Sequence, residues 1–237
     1  MVSASSINAL GNGFGVRPIP VHYFPIDEAH PGSTSDVYSF SKQVLEEIAA
    51  YFWRRESVSG ACLRFPWVFD HRWFQSERVN EFRTRFEAVY AELMALPEDV
   101  RQIRVQETLA KMRDLREQHE RGELADEAMF AAMREIPVAM LTFGAKDFWA
   151  MLDARDAAQA IEKAIVADYA SSHPLWIVDS HNSTGLPSRE LASLLYPDVK
   201  TWKRPVEGTE ALISIDKARE LIGFEPEHSV SQWLEVE

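Results

Sequence analysis

The chain has 237 residues, 46% apolar and 26% charged, the make-up of a globular protein able to bury one sizeable core. Its formal net charge of -12 argues against electrostatic nucleic-acid binding, which needs basic faces. The one cysteine, Cys62, excludes an internal disulfide and any cysteine-built metal site.

No apolar run reaches the ~18 residues of a membrane span, and residues 1–20 lack a basic start and an apolar centre. No membrane partner or signal peptide is expected, and cytoplasm is the default compartment. The seven histidines show no ligand spacing, so no metal site is expected.

In chain order, "VSASS" (2–6) reads as the end of a strand. Residues 7–35 contain glycines, four prolines and little periodicity, and read as an extended loop. Val37, Phe40, Val44, Leu45, Ile48, Ala49 and Phe52 recur at spacings of three and four, so 36–55 is predicted helical. "SGACLRFPWVF" (59–69) reads as one buried strand, with Cys62 a structural thiol.

Residues 76–135 change character. Glu, Arg, Ala, Leu and Met predict two or three helices, the longest from about Glu98 to Arg121. Ten Lys/Arg against fourteen Asp/Glu make a solvated, ion-paired face. Then come a helix at 153–169, a strand at 175–180, a capped helix at 187–196 and a short helix at 214–224 ended by Gly223. Alternating strands and helices predict an α/β fold.

One spacing carries chemistry. In "YSFSK", Tyr38 and Lys42 are four residues apart, about one helical turn, so phenol and ammonium share a face. A free phenol is a poor base at neutral pH, and a neighbouring cation favours its ionised form. Such a pair can take a proton from a substrate hydroxyl or return it.

The order around this pair is informative. Ser5 and Ser6 end a strand, followed by "GNGFG", "FPIDEAHP", the Tyr-Lys helix, "CLRFPWVF", "DARDAAQAI" and "DKARELIGFEP". Over residues 1–75 and 140–235 this order resembles the extended short-chain dehydrogenase/reductase family, the NAD(P)-dependent sugar-nucleotide epimerases and dehydratases. The resemblance implies Tyr38 as general acid/base, Lys42 as its tuner and a ribose contact, and Ser6 as hydrogen-bond partner of the reacting oxygen. Ser5 is the rival for that last role. Pro66 is implied beside the nicotinamide, and Ser5, Asn8, Arg155 and Asp156 beside the substrate. Arg155 and Asp156 also read as a helix-start charge and cap. Glu28 reads as a brace of the loop or a reacting acid, and Lys217 and Arg219 as surface residues or phosphate contacts. The implied cofactor is NAD or NADP, the substrate a small molecule such as a sugar nucleotide, and the partner a second copy through the Tyr38 helix.

Two departures stand out. The strand, G-x-x-G-x-x-G and helix that hold the pyrophosphate in that family do not occur in these residues. "GNGFG" (11–15) has the wrong spacing, and Pro18 and Pro20 follow it where a helix would start. The second departure is the helical stretch, expected as a lid, a subunit contact or a filler for the missing half. The sheet edge beside residues 2–6 is expected to be covered by that stretch, by another chain or by disorder. The expected architecture is a partial Rossmann-type parallel sheet (1–75), a helical insertion (76–140) and a small C-terminal substrate-binding part (141–237), forming one compact unit. Two functional readings stay open: an NAD(P)-dependent epimerase/dehydratase-like oxidoreductase, and a non-catalytic remnant or interaction module.

Overall fold

A computed structural model describes residues 1–15, 17, 19–136, 138–142 and 144–229. Pro18 of the loop reading, and the last residues of the span carrying the resemblance, lie outside them. The chain opens with β1 (Val2–Ser6), a 3-10 turn (Ile7–Leu10), β2 (Tyr23–Phe24), α1 (Val37–Glu56), β3 (Gly60–Phe65) and β4 (Trp67–Phe69). Helix α2 (His71–Phe74) leads into the helical stretch of α3 (Glu77–Met94), α4 (Glu98–Glu120) and α5 (Asp126–Arg134), and α6 (Ala139–Thr142) follows. After a 3-10 turn at Ala145–Asp147 come β5 (Met151–Asp153), α7 (Ala154–Val166), β6 (Ser172–Trp176), α8 (Ser188–Leu195), β7 (Thr201–Trp202) and α9 (Asp216–Ile222).

The central sheet is parallel, in the order β1-β3-β6. Side chains alternate across it. Gly60, Cys62 and Arg64 face α1: a Cβ on Gly60 would meet Ala49, and Arg64 pairs with Glu46. Ala61 and Leu63 point the other way and join the core that includes Ala157, Ala160 and Ala164 of α7. A parallel sheet with helices on both faces is the α/β arrangement that the alternation predicts, of the Rossmann type that the resemblance implies. Cys62 is buried, and desolvation pushes its thiol up to about 11.

Helix α1 starts where expected. The Asp36 carboxylate accepts the Ser39 amide at 2.8 Å, and Arg54 and Arg55 sit in the last turn, opposite in sign to the helix dipole there. Its apolar row behaves differently from the usual amphipathic helix. Within α1 only Ser39 and Ala49 are buried, while Val37 (87% exposed), Phe40 (60%), Val44, Ile48, Tyr51 and Phe52 face outward.

Four expectations shift. The predicted strand at 59–69 breaks at Pro66, which has no N–H for a ladder, and the chain re-enters a separate pairing of β4 with β5. The strand expected at 175–180 begins earlier, at Ser172, and ends at Trp176. Asp179 then folds the chain into a turn by accepting the His181 amide. The loop at 7–35 contains the Ile7–Leu10 turn and β2. Helix α8 has Pro187 at its cap, and the Ser188 hydroxyl donates to the Glu210 carbonyl instead of capping.

The helical stretch packs into the same core. Phe86, Leu93 and Val105 cluster with Phe148, Leu191 and Ile213. Tyr90 of α3 donates to Glu190 of α8, and Arg116 of α4 donates to the Gly13 carbonyl at 2.8 Å. It thus lies over the glycine loop and α8. Strand β1 has β3 as its ladder partner, and is short and largely small or polar, which limits what its outer edge offers. No single helix among the described residues is long and apolar enough to cross a membrane.

Candidate functional site

The C-terminal ends of β1 and β3, the glycine loop and the first turns of α1 converge. Ser6 ends β1 and turns the chain: its hydroxyl accepts the Asn8 amide at 3.1 Å, capping the 3-10 turn. That turn closes at Gly11, whose φ of +98° and approach to the Ser33 carbonyl leave no room for a Cβ. Ser5 points to the opposite face. Its hydroxyl donates to Glu46 at 2.6 Å, and Glu46 also takes a bidentate pair from Arg64, whose guanidinium lies over the Trp176 ring. The Ser5 hydroxyl is therefore committed to a structural network.

Tyr38 is 43% exposed, and its ring meets Phe14 edge-on with centroids 5.3 Å apart. The Lys42 ammonium lies 5.5 Å from the Tyr38 ring centroid and donates to the Ala4 carbonyl at 3.0 Å. It thereby ties the Tyr38 helix to β1 just before the two serines. Pro66 is buried, one residue beyond the Ser6–Phe65 register pair. Tyr38, Lys42, Ser6, Asn8 and Pro66 thus gather at one end of the sheet.

Other expected residues have different surroundings. Arg155 forms a bidentate pair with Asp153, the N-cap of α7. Asp156 is buried and accepts the Glu227 and His228 amides and the His228 ring, so it anchors the chain after α9. The helix-start charge reading fits Arg155, but the cap is Asp153, and Asp156 instead holds the Glu227–His228 segment. Glu28 braces the sheet by accepting the Trp176 amide at 3.0 Å. Burial raises its carboxyl, against the Trp176 bond and the Lys217 and Arg64 charges. Lys217 is no simple surface residue: it is half-buried, is lowered by desolvation, and donates to the Pro174 carbonyl. Arg219 pairs with Glu225 and Asp216.

A second group at this end joins Asn8 to residues that were not singled out from the sequence. The Trp67 indole donates to Asp147 Oδ2 at 2.9 Å. Asp147 Oδ1, Asn8 Oδ1 and Asp36 Oδ2 are buried and have no hydrogen-bond partner among the described residues. A Cβ on Gly13 would stand 1.7 Å from Asn8 Oδ1 and 2.9 Å from Asp147 Oδ1, so only glycine lets both oxygens approach this loop. Desolvation raises the Asp147 carboxyl, opposed by Trp67, Lys146 and Arg116. Desolvation and the neighbouring Arg116 charge lower Lys146 to about 8. These residues come from the loop, β4, α4 and the turn after α6. Of these, Asn8 and "GNGFG" drew notice in the sequence, and no spacing links either to Asp147.

No protein-family model matches the chain, and no curated protein matches it. Among solved structures, a UDP-glucose 4-epimerase from Thermotoga maritima aligns at 17% identity and TM-score 0.46, over 98% of this chain and 60% of that one. A short-chain dehydrogenase/reductase superfamily protein from Agrobacterium tumefaciens, solved with NAD, aligns at 15% and 0.47 over 98% and 64%. A mutated uronate dehydrogenase aligns at 14% and 0.44 over 98% and 46%. The chain thus spans about half to two thirds of the length of these three. At these values the likeness bears on neither activity nor substrate.

Proposed function

We propose that the chain carries the acid–base end of an NAD(P)-dependent epimerase/dehydratase-like oxidoreductase acting on a sugar nucleotide or related alcohol. The supporting observation is the pair of Tyr38, exposed at the strand ends, and Lys42, one helical turn on and close to its ring. Tyr38 takes the proton of a substrate hydroxyl or returns it, Lys42 offsets the charge that develops on the phenol, and the Ser6 hydroxyl, at the end of β1, meets the substrate oxygen.

The fit to a nicotinamide cofactor is partial. An exposed phenol beside an ammonium suits the ribose and nicotinamide end. The pyrophosphate end needs backbone N–H groups at a helix N-terminus, and "GNGFG" instead packs Gly13 against the Asn8 amide oxygen. The lack of a cradle in these residues favours a second reading, a non-catalytic module without cofactor binding. In either reading the exposed row of α1 serves contact with a second copy of the chain.

Titration with NADH and NADPH, followed through the seven tryptophans, separates the two. Saturable quenching supports the enzyme reading, and none at millimolar cofactor overturns independent action by this chain. Where turnover of a UDP-sugar is found, Tyr38→Phe should lower it ~100- to 10,000-fold with cofactor affinity unchanged.

A further inference from the structure

The run that carries β2 is closed on itself by one buried histidine. His30 is 4% exposed, and both of its ring nitrogens meet backbone groups. Nε2 lies 3.0 Å from the His22 amide nitrogen, which can only donate, so Nε2 accepts. Nδ1 lies 2.9 Å from the Pro31 carbonyl, which can only accept, so Nδ1 carries the proton. Together the two bonds select the neutral imidazole in one tautomer. A second proton would go on Nε2 and set one N–H against another, so the His22 bond would have to break.

The surroundings of the ring resist that proton. The His22 and Tyr23 rings flank it, with centroids 5.3 and 5.0 Å away. Asp27 favours the cation, but its carboxylate already accepts from Tyr23, the Ala29 amide and Lys203, and the Lys203 ammonium lies over the Tyr23 ring. Desolvation holds His30 below the ordinary imidazole value of ~6.5, against the Pro31 bond and Asp27, and His22 and Lys203 add to the lowering. The segment beyond His30 runs on to the first turn of α1. The Ser33 amide donates to the Leu10 carbonyl at 3.0 Å, and the Ser33 carbonyl fills the space beside Gly11. Thr34 donates to Gln43, which donates to the Ala9 carbonyl.

We propose that His30 is an acid-released latch: while neutral it pins residues 22–31, and on taking a second proton it lets go of the His22 amide and loosens the run that leads into α1. The sign follows from linkage. The released segment binds the proton near ~6.5, ahead of the latched one, so the latch is closed above that value and opens as the pH falls below it. The latch stands apart from the reading of Tyr38 as an acid–base group, because it needs neither substrate nor cofactor.

The test is hydrogen exchange at the His22 amide of the full chain, read by NMR at pH ~7.5 and ~5.5 and corrected for the intrinsic rate. Protection should fall ~5-fold or more on acidification, while the β3 amides hold theirs. His30→Gln supplies an amide oxygen that accepts but does not titrate, so its His22 protection should stay within ~2-fold. His22→Gln keeps the backbone amide and removes the second imidazole, and it should respond as the wild type does. Equal wild-type protection at both pH values, an equal fall in His30→Gln, or a response lost in His22→Gln would overturn the proposal. Where His30→Gln does not fold, the nitrogen shifts of the wild-type ring decide. Nε2 bare at pH ~7.5 and titrating below ~6.5 together with the His22 amide signal supports the latch. A ring that titrates at or above ~6.5, or without moving that signal, overturns it.

Discussion

Two polar clusters flank the end of β1, and they differ in one respect. On the α1 face, Ser5, Glu46 and Arg64 satisfy one another, with both charged side chains largely buried. On the loop side, Asn8, Asp36 and Asp147 each keep an oxygen with no donor among the described residues. A satisfied buried network fixes a fold, whereas an unsatisfied one carries a cost that a ligand can remove. The same short strand thus separates a cluster that holds the sheet from one whose polar groups are not all paired with each other.

Several changes would break or sharpen this contrast. The largest effect is expected on chemistry, in the Tyr38→Phe turnover loss, with no change in melting temperature. Next is Glu46→Ala. It leaves Arg64 buried without its partner and should cost about 3–5 kcal/mol in urea unfolding. A loss under ~1 kcal/mol would mean that this cluster is not the structural one. Gly13→Ala should come third. Its methyl group would collide with Asn8 Oδ1, so the fold should survive at a cost of about 1–3 kcal/mol.

The smallest effect is one of pH. The folded chain holds Lys146 at about 8, below the ordinary lysine value near ~10.4. The unfolded chain therefore binds the extra proton between these values, and this residue's contribution to stability rises with pH across that window. Lys146→Met should be more stable than wild type below pH ~8, with the gain shrinking toward pH ~10. Parallel stability curves would contradict the assigned environment.

Much of the fold was legible because it rests on local rules. Asp36 caps α1, Gly223 ends α9, and the long helix begins at Glu98 as its composition predicts. The Tyr38–Lys42 pair was legible for the same reason, since one helical turn fixes it. Pro66 was misread as lying within a strand, although its missing N–H breaks the ladder there. The Trp67–Asp147 bond was not legible at all: eighty residues separate its partners, and only the packing of the helical stretch brings them together. Ser5 and Ser6 could not be told apart without knowing which face of the sheet each one meets. The row on α1 was visible as a period, but a period tells that a face is apolar, not what covers it.

That row has a thermodynamic consequence. The outward side chains of α1 run along a helix of twenty residues, roughly 30 Å in length. If a second copy shields them, association is linked to folding, and the thermal midpoint becomes a function of protein concentration. Melting curves recorded over a hundredfold dilution should then shift downward by several degrees. A midpoint that ignores dilution would show that the chain tolerates a bare apolar stripe as a monomer.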